Sequence, residues 1–335
     1  MLRVSCMTYN QVSYIEDAMN GFVMQQTDFP FVCTIVDDAS NDGEQNVIKK
    51  YIQEHFDLQD SFVAYEKDVD YGHVTFAQHK SNKNCYFAVI YLKENHYSQK
   101  KSKLPYLTEW MDTKYIALCE GDDYWTDPLK LQKQVDILEE HQDCSFCGTG
   151  FVVYKNGEKD VDMTIYSSGS ECVFYGKESF GRLWIVKTLT LLIRGECYIA
   201  YINTEKTKYL YPKDVHLQYH LFKCGKGAYI PQPMGVYNND GQGVWNSKPY
   251  SEKVVSQTNT LRELYYKNDK DADIYDLYMN SLRETIETQG VKGNKVKLWI
   301  EGLKESVCNK DRKRVTRSFL YYLKHRQKRF AMKSI

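Results

Sequence analysis

The sequence has no net charge, no long apolar run and no signal-peptide pattern in its opening residues, and each absence argues against a class of protein. Its 44 basic and 44 acidic residues cancel, so no overall field favours nucleic acid. No uncharged apolar stretch, Thr188 to Ile193 among them, approaches the roughly 20 residues of a membrane-spanning helix. The opening segment LRVSCMTYN is typical of a first β-strand and not of a signal peptide. We therefore expect a protein on the cytoplasmic side.

What is present is typical of a globular protein, with 42% apolar and 26% charged residues among 335. Most of the 10 cysteines, Cys6 and Cys197 among them, lie inside apolar runs, which is typical of free buried thiols. Cys144 and Cys147 have CxxC spacing, but no second pair or histidine cluster completes a zinc site. Core packing is the favoured interpretation of that pair, and metal or redox chemistry is the alternative.

The order of local patterns predicts an α/β fold with a mainly parallel central sheet flanked by helices. A polar segment at about 67–83 is interpreted as an insertion, and from Tyr250 onward the pattern is helical. The predicted strands are 3–8, 31–36, 61–65, 85–92, 115–119, 145–154 and 188–194, and the main predicted helices are 14–26, 43–56 and 104–111.

Two pairs of aspartates directly follow predicted strands, Asp37-Asp38 and Asp122-Asp123. Ligands of parallel α/β sheets bind at the carboxyl ends of the strands. Adjacent carboxylates repel each other, but a hard divalent cation between them and a phosphate removes that cost. The pattern therefore predicts a metal–diphosphate site, with the other acidic turn free to bind ribose or base. The alternative is that both pairs are ordinary turn and capping residues.

Three motifs occur in order: TYN at the end of the first strand, VDDAS at the second and EGDDYWTDPLKLQKQ after a later one. Together they carry a resemblance to glycosyltransferase family 2. It covers roughly residues 1–247 and implies the glycosyltransferase A fold, with 1–123 binding the nucleotide sugar and 124–247 the acceptor. Residues 248–335 would be a separate helical region. The implied reaction is inverting transfer from a nucleotide-sugar donor, UDP-linked by resemblance, with Mn²⁺ or Mg²⁺ as cofactor.

The resemblance also implies an acceptor and a nucleotide pocket. The segment PKDVHLQYHLFKCGKG is similar to family members that build bacterial surface polysaccharides such as capsule or O-antigen, so a glycan or lipid-linked acceptor is expected. Thr8, Tyr9 and Asn10 would line the nucleotide pocket. Asp38 would hold the base edge, with Asp37 beside it.

The same resemblance implies the metal and catalytic residues. Asp122 would contact ribose or diphosphate, and Asp123 would ligate the metal. Asp214 matches the position of the catalytic base. Asp240 stands where related sequences often carry histidine. It could still ligate the cation, but it would add negative charge beside the diphosphate.

Other residues keep two interpretations. Lys101 and Lys103 would support the leaving diphosphate, or they belong to a solvated basic loop. Trp125 would pack against a sugar face, or it anchors the following helix in the core. His216 and His220 have metal-ligand spacing on a helix, but without an adjacent glutamate they more simply orient that helix or contact acceptor.

The segment 309–335 is strongly basic and interleaved with aromatic residues. Val315, Phe319 and Leu323 lie on one helical stripe, which fits a helix on the anionic inner face of the cell membrane, beside a lipid-linked acceptor. The alternative is a terminal helix packed on its own domain. Charge alone would also suit nucleic acid, but no recognition motif accompanies it, so no such partner is expected.

Two other enzyme classes and one non-enzymatic class compete with this hypothesis. A nucleotidyltransferase or a dehydrogenase needs a glycine-rich loop after the first strand, and TYNQVSY has no glycine. A non-catalytic nucleotide- or carbohydrate-binding protein tethered at the membrane is the remaining possibility. A degenerate site would be expected to lose Asp123 or Asp214, and both are present.

Overall fold

The computed structural model describes residues 2–167, 169–180, 186–239 and 248–317. The chain divides into two compact units, Met1–Asn246 and Ser247–Ile335. The strands of the first unit are β1 (Leu2–Thr8), β2 (Phe31–Asp37), β3 (Phe56–Asp57), β4 (Ala64–Val69), β5 (Gly72–His79), β6 (Cys85–Leu92), β7 (Tyr115–Leu118), β8 (Tyr124–Trp125), β9 (Cys144–Lys155), β10 (Glu158–Asp162), β11 (Val173–Tyr175), β12 (Leu192–Arg194) and β13 (Lys226–Asn238). The helices are α1 (Ile15–Val23), α2 (Glu44–His55), α3 (Lys130–Glu140), α4 (Gly195–Ala200) and α5 (Asp214–Cys224), followed in the second unit by α6 (Tyr250–Lys267), α7 (Ala272–Glu287) and α8 (Lys295–Cys308).

The predicted α/β class is confirmed, with one correction to the sheet. The described strands of the first unit form one sheet whose main path is β11-β13-β9-β12-β7-β1-β2-β6-β5-β3. Its centre, β7-β1-β2-β6, is parallel, but most flanking pairs are antiparallel, so the sheet is mixed and not mainly parallel. The segment 67–83, interpreted as an insertion, is largely the antiparallel hairpin β4–β5. Its polarity reflects a sheet edge, where charged side chains of β4 face solvent.

Alternation along the central strands divides the core into two layers. Cys33 and Ile35 of β2 pack in the cluster that contains residues of α1, α2 and α3. Val32 and Val36, with opposite parity, pack with a short 3-10 helix at Leu104–Trp110. Both faces of the parallel centre are therefore covered, which is what its continuous apolar strands require.

In the second unit, α7 contacts both α6 and α8. A bidentate ion pair joins Arg262 of α6 to Glu301 of α8, with N–O distances of 2.6 and 3.1 Å. The phenol of Tyr278 donates to the same glutamate. In the described part of the chain, no helix combines the length and the apolar character needed to cross a bilayer.

Candidate active site

The two acidic turns lie on either side of the carboxyl end of β1. Thr8, the last residue of β1, is paired with Asp37 at the end of β2. On the other side, the chain leaving β7 runs along β1, with N–O distances of 3.1 Å from Cys119 N to Ser5 O and from Gly121 N to Met7 O. The direction of the chain through the sheet reverses at β1, so this edge is the switch point at which doubly wound sheets bind ligands.

A close approach at Gly121 packs the acidic turn after β7 against the end of β1. A Cβ atom at this position would lie 2.4 Å from Thr8 Oγ1 and 2.5 Å from Gln11 Oε1. Only glycine tolerates that contact, because any side chain would displace the turn. Thr8 is 4% exposed, and its hydroxyl also contacts the buried carboxylate of Glu44. It therefore packs the base of the site, and its predicted contact with nucleotide stays a prediction.

The turn after β7 brings three carboxylates together. One oxygen from each of Glu120, Asp122 and Asp123 lies within 4.8 Å of the others, and no other such group occurs among the described residues. Asp123 is 3% exposed, and its Oδ1 accepts from Asn238 N at 3.0 Å. Asn238 Nδ2 donates to the carbonyl oxygen of Asp122 at 2.6 Å. The end of β13 thus fixes the acidic turn from the opposite side to β1.

Without a cation, this arrangement disfavours the charged state of the carboxylates. Burial, followed by the charges of Asp122 and Glu120, raises the pKa of Asp123 well above its usual range. Burial, Asp214 and Asp122 raise the pKa of Glu120 to about 7. Glu120 is exposed to solvent, which screens its charge, whereas Asp123 is buried. The increase in pKa is therefore better supported for Asp123 than for Glu120.

The donor set fits a hard divalent cation. Carboxylate oxygens are the ligands that Mg²⁺ and Mn²⁺ prefer, together with phosphate oxygens and water. A dication here would offset the repulsion among Glu120, Asp122 and Asp123 and would lower their pKa values. Sequence reasoning assigned the metal to Asp123 and Asp240 and missed Glu120 as a ligand candidate, although the motif contains it.

Two further residues complete the surroundings of the acidic turn. Asp214 is the first residue of α5, is exposed, and is close enough to raise the pKa of Glu120. Lys187 has the opposite effect and lowers the pKa of both Glu120 and Asp123. Its Nζ lies 4.3 Å from the centroid of the Tyr237 ring, which holds the side chain in place. No sequence signal marks Lys187, because it lies in a connection before a short strand.

In the second acidic turn, Asp38 is bound by other residues of the protein, and Asp37 is the aspartate that can bind a ligand. Asp38 was expected to hold the base edge, but it is 2% exposed and its oxygens accept from His96 N at 2.7 Å, Tyr97 N at 3.0 Å and Lys103 Nζ at 2.8 Å. Burial opposes ionisation, yet these donors together hold the pKa of Asp38 below its usual range. Asp38 therefore fastens the loop after β6 to the sheet.

Asp37 has one carboxylate oxygen that accepts no hydrogen bond. Its Oδ1 accepts from Ser40 N at 3.2 Å and Gln45 Nε2 at 2.5 Å. Its Oδ2 is buried and has no hydrogen-bond partner. Buried carboxylate oxygens are normally satisfied, so Asp37 is the better candidate of the pair to accept from a ligand donor.

The remaining predicted nucleotide contacts divide into exposed and paired groups. Tyr9 is 44% exposed at the end of β1. Asn10 has φ 54°, and its side chain accepts from Asn41 N at 2.9 Å. Lys101 pairs with exposed Glu94 at 3.1 Å, whereas Lys103 is bound to Asp38. These contacts favour the basic-loop interpretation for Lys101 and a loop-fastening role for Lys103.

Trp125 is a core anchor and does not face a sugar. It is 1% exposed, and its Nε1 donates to Leu189 O at 2.8 Å. Its ring meets Phe22 edge-on at a centroid distance of 5.1 Å and carries Lys130 Nζ 4.3 Å from its centroid. Because every side of the indole is covered by protein, the structure corrects its assignment as a donor contact.

Trp125→Phe tests this role. We expect a loss of about 2–3 kcal/mol in the free energy of unfolding, because Leu189 O loses its donor and the smaller ring leaves a gap. Affinity for a nucleotide sugar should change less than about 2-fold under conditions where the variant is folded, since the side chain does not reach the site. Denaturant unfolding and calorimetric binding measure the two quantities. A binding defect at unchanged stability would restore the sugar-facing assignment.

Packing favours structural roles for the CxxC pair and for His216. Cys144 and Cys147 are free and buried in β9, as the core-packing interpretation expects. His216 accepts from Lys213 N at 2.9 Å and stacks on Tyr209 at 4.0 Å, so it orients the start of α5. Burial lowers the pKa of His216 to about 4, which keeps it neutral. Asp240 and most of the basic segment 309–335 lie outside the described residues.

Comparison with known sequences gives distant relatives. Rv1520 of Mycobacterium tuberculosis and Mb1547 of Mycobacterium bovis, both uncharacterized, are each 28% identical over 247 residues, which is 73% of this chain and 61% of theirs. TuaG of Bacillus subtilis, assigned to teichuronic acid biosynthesis as a glycosyltransferase, is 26% identical over 163 residues, 49% of this chain and 51% of its own. The chain therefore spans less than two thirds of the length of these relatives. No protein-family model matches it.

Comparison with solved structures shows the fold. TarS of S. aureus, residues 1–349 in complex with UDP-GlcNAc, has a TM-score of 0.55 at 15% identity, and the match covers 91% of this chain and 80% of that part of TarS. The complex of the same protein with UDP gives a TM-score of 0.51 at 14% identity. The chain shares the fold of TarS.

Proposed function

We propose that this protein is a metal-dependent glycosyltransferase of family 2 that moves a sugar, with inversion, from a UDP-linked donor to a glycan or lipid-linked acceptor. The observation that carries the proposal is the cluster Glu120–Asp122–Asp123 at the switch point of the sheet, with Asp214 and Lys187 beside it. The shared fold supports it, because TarS was solved with UDP-GlcNAc and with UDP. The likeness to TuaG supports a role in surface-polysaccharide assembly.

The proposed chemistry assigns one task to each group. Asp37 and the exposed Tyr9 and Asn10 bind the nucleoside at the ends of β1 and β2. Glu120, Asp122 and Asp123 would hold Mn²⁺ or Mg²⁺, which supplies positive charge to the leaving diphosphate.

Asp214 removes the proton from the acceptor hydroxyl. Because it is exposed at the start of α5, an incoming hydroxyl can reach it, and its carboxylate is stabilised by the helix N-terminus. Attack from the side opposite the diphosphate inverts the configuration at the anomeric carbon. In this proposal, residues 1–123 form the donor half and residues 124–247 form the acceptor half.

The donor is identified by measuring nucleoside diphosphate release. A panel of UDP-, GDP-, dTDP- and CDP-sugars is incubated with the protein in Mn²⁺, Mg²⁺ or EDTA, without acceptor. Slow hydrolysis of one donor, dependent on metal, is the expected result. Metal-dependent donor binding without hydrolysis would indicate an enzyme that requires its acceptor. A folded protein that neither binds nor hydrolyses any donor would contradict the proposal and favour the tethered binding protein.

Substitution of three lysines tests which of them contacts the diphosphate. Lys101 and Lys103 were predicted from the sequence, and Lys187 is the candidate that the structure adds. We expect Lys187→Met to weaken UDP affinity in Mn²⁺ about 10-fold and to lower donor hydrolysis about 10- to 100-fold, because Lys187 is the cation beside the carboxylates. Lys101→Met should change both less than about 2-fold, because its partner Glu94 is exposed. Titration calorimetry and the release assay measure the effects.

Lys103→Met is the matched comparison inside the site. It removes the cation that neutralises buried Asp38, so the main loss should be in thermal stability, with donor binding affected through the loop after β6. If Lys101→Met proved as harmful to UDP binding as Lys187→Met, the basic-loop lysines would be the diphosphate contacts after all.

The proposal places the acceptor at or near the membrane. The predicted amphipathic character of 309–335 and the expected lipid-linked acceptor both favour attachment to the anionic inner face. Flotation with vesicles containing an anionic lipid, compared between the full chain and a chain ending at residue 308, tests this part separately from catalysis.

A further inference from the structure

A second cluster of reactive side chains lies between α4 and α5. Cys197 of α4 is buried, whereas Cys224, the last residue of α5, is exposed. Between them, Nε2 of His220 lies 3.0 Å from the backbone oxygen of Cys197 and 3.3 Å from Sγ of Cys224. Sequence reasoning treated Cys197 as an inert buried thiol, because the histidine and the second sulfur come from another helix.

The hydrogen-bond pattern determines the state of the sulfur. A backbone oxygen can only accept, so Nε2 of His220 must carry a hydrogen. Cys224 Sγ lies 3.3 Å from the same nitrogen, so this N–H is beside the sulfur and favours its thiolate. The nearby thiol of Cys197 also lowers the pKa of Cys224. Cys224 itself is open to solvent.

The charges around the cluster act in both directions. The C-terminal end of α5 opposes a negative charge at Cys224. The Cys197 thiol, His220 and Lys223 outweigh both this effect and burial, and together they lower the pKa of Cys224 to about 5. Glu205 and the two hydrogen bonds to Cys224 and the Cys197 carbonyl raise the pKa of His220 against the effect of burial. A low thiolate pKa and solvent access are the two properties of oxidation-sensitive cysteines.

We propose that Cys224 is a hydroperoxide-sensitive thiolate and that Cys197 is its resolving partner. In the first step, the sulfur of Cys224 attacks the terminal oxygen of the hydroperoxide, the O–O bond breaks, and sulfenic acid and an alkoxide or hydroxide form. In the second, the thiol of Cys197 attacks that sulfur, a disulfide forms and water leaves. The peroxide is reduced by two electrons, which the two thiols supply.

The position of the pair gives the modification a consequence. The disulfide would tie the end of α5 to α4, and α5 is the 11-residue helix that begins with Asp214. The tie would restrict that helix, so donor turnover should change on oxidation. This consequence rests on the proposed function, whereas the disulfide itself does not.

The test uses the reduced full-length protein and hydrogen peroxide, followed by alkylation, digestion and mass spectrometry. We expect one linked peptide pair that joins Cys197 to Cys224. In Cys197→Ser, oxidation should stop at a sulfenic acid on Cys224 that dimedone traps. Cys308, which is also exposed, is the internal control. At pH 6.5, iodoacetamide should alkylate Cys224 at least about 3-fold faster than Cys308, because ionisation outweighs the lower nucleophilicity of a low-pKa thiolate.

His220→Gln tests the role assigned to the imidazole. Loss of the faster alkylation in this variant, with the linked peptide formed more slowly, supports the proposal. Equal oxidation and alkylation of Cys224 and Cys308 in the wild type would overturn it. So would a Cys224 sulfenic acid that persists in the wild type without a linked peptide, because Cys197 would then not be the resolving thiol.

Discussion

Asp123→Asn is expected to reduce metal-dependent donor hydrolysis at least about 1000-fold. The substitution removes one charge and one ligand oxygen from the buried centre of the Glu120–Asp122–Asp123 cluster, and a lost metal contact costs several kcal/mol of transition-state stabilisation. The size of the amide matches that of the carboxylate, so the fold should persist. Hydrolysis of the donor found in the panel measures the loss.

The stability of Asp123→Asn without metal should not fall with its activity. In EDTA, Asp123→Asn is expected to melt at the same temperature as the wild type or higher, because it relieves the repulsion between the buried Asp123 and its acidic neighbours. In Mn²⁺ at 100 times its Kd, the wild type should gain about 2.7 kcal/mol and the variant far less. Asp160→Asn, at an exposed position in β10, is the control for loss of a charge. If the melting temperature of the wild type did not change on addition of Mn²⁺ or Mg²⁺, that result would contradict the metal site.

Asp214→Asn should lower the rate of hydrolysis or transfer by about 100- to 10,000-fold and leave donor affinity within about 3-fold. The reason is that a general base acts on the attacking hydroxyl and not on the donor. Asp214 is exposed at the start of α5, so its removal costs only the favourable interaction with the helix N-terminus, about 0.5 kcal/mol. Steady-state rates and calorimetric donor binding separate the two effects.

Glu196→Gln provides the matched control for Asp214→Asn. Glu196 is an exposed acid in the first turn of α4, so its substitution repeats the loss of charge at a helix start. Its activity should stay within about 2-fold of the wild type. A variant at Asp214 that keeps its turnover would remove the base from the proposal, whereas a parallel loss of donor affinity would make Asp214 a binding residue. Asp123→Asn, in contrast, should lose metal-dependent binding and turnover together.

The sequence by itself determined the parallel centre of the sheet and the position of both acidic turns. Apolar runs predicted strands β1, β2, β6 and β7, because strands covered on both faces are largely apolar, and the runs of β2 and β7 lead into the two acidic turns. Since parallel strands end at one edge, the same runs predicted that both acidic turns lie at the carboxyl ends of the strands. The close approach of Gly121 to Thr8 joins the acidic turn after β7 to the end of β1.

Only the tertiary structure decided which of the neighbouring polar groups are free to bind a ligand. Asp38 is fastened by His96, Tyr97 and Lys103, whereas Asp37 next to it keeps a free oxygen. Lys187 joins the acidic turn from a distant connection, and Cys197 of α4 meets His220 and Cys224 of α5 in the same way. Local sequence specifies backbone periodicity and turn chemistry. It does not specify which donor from elsewhere in the chain satisfies a given carboxylate, because long-range packing makes that choice.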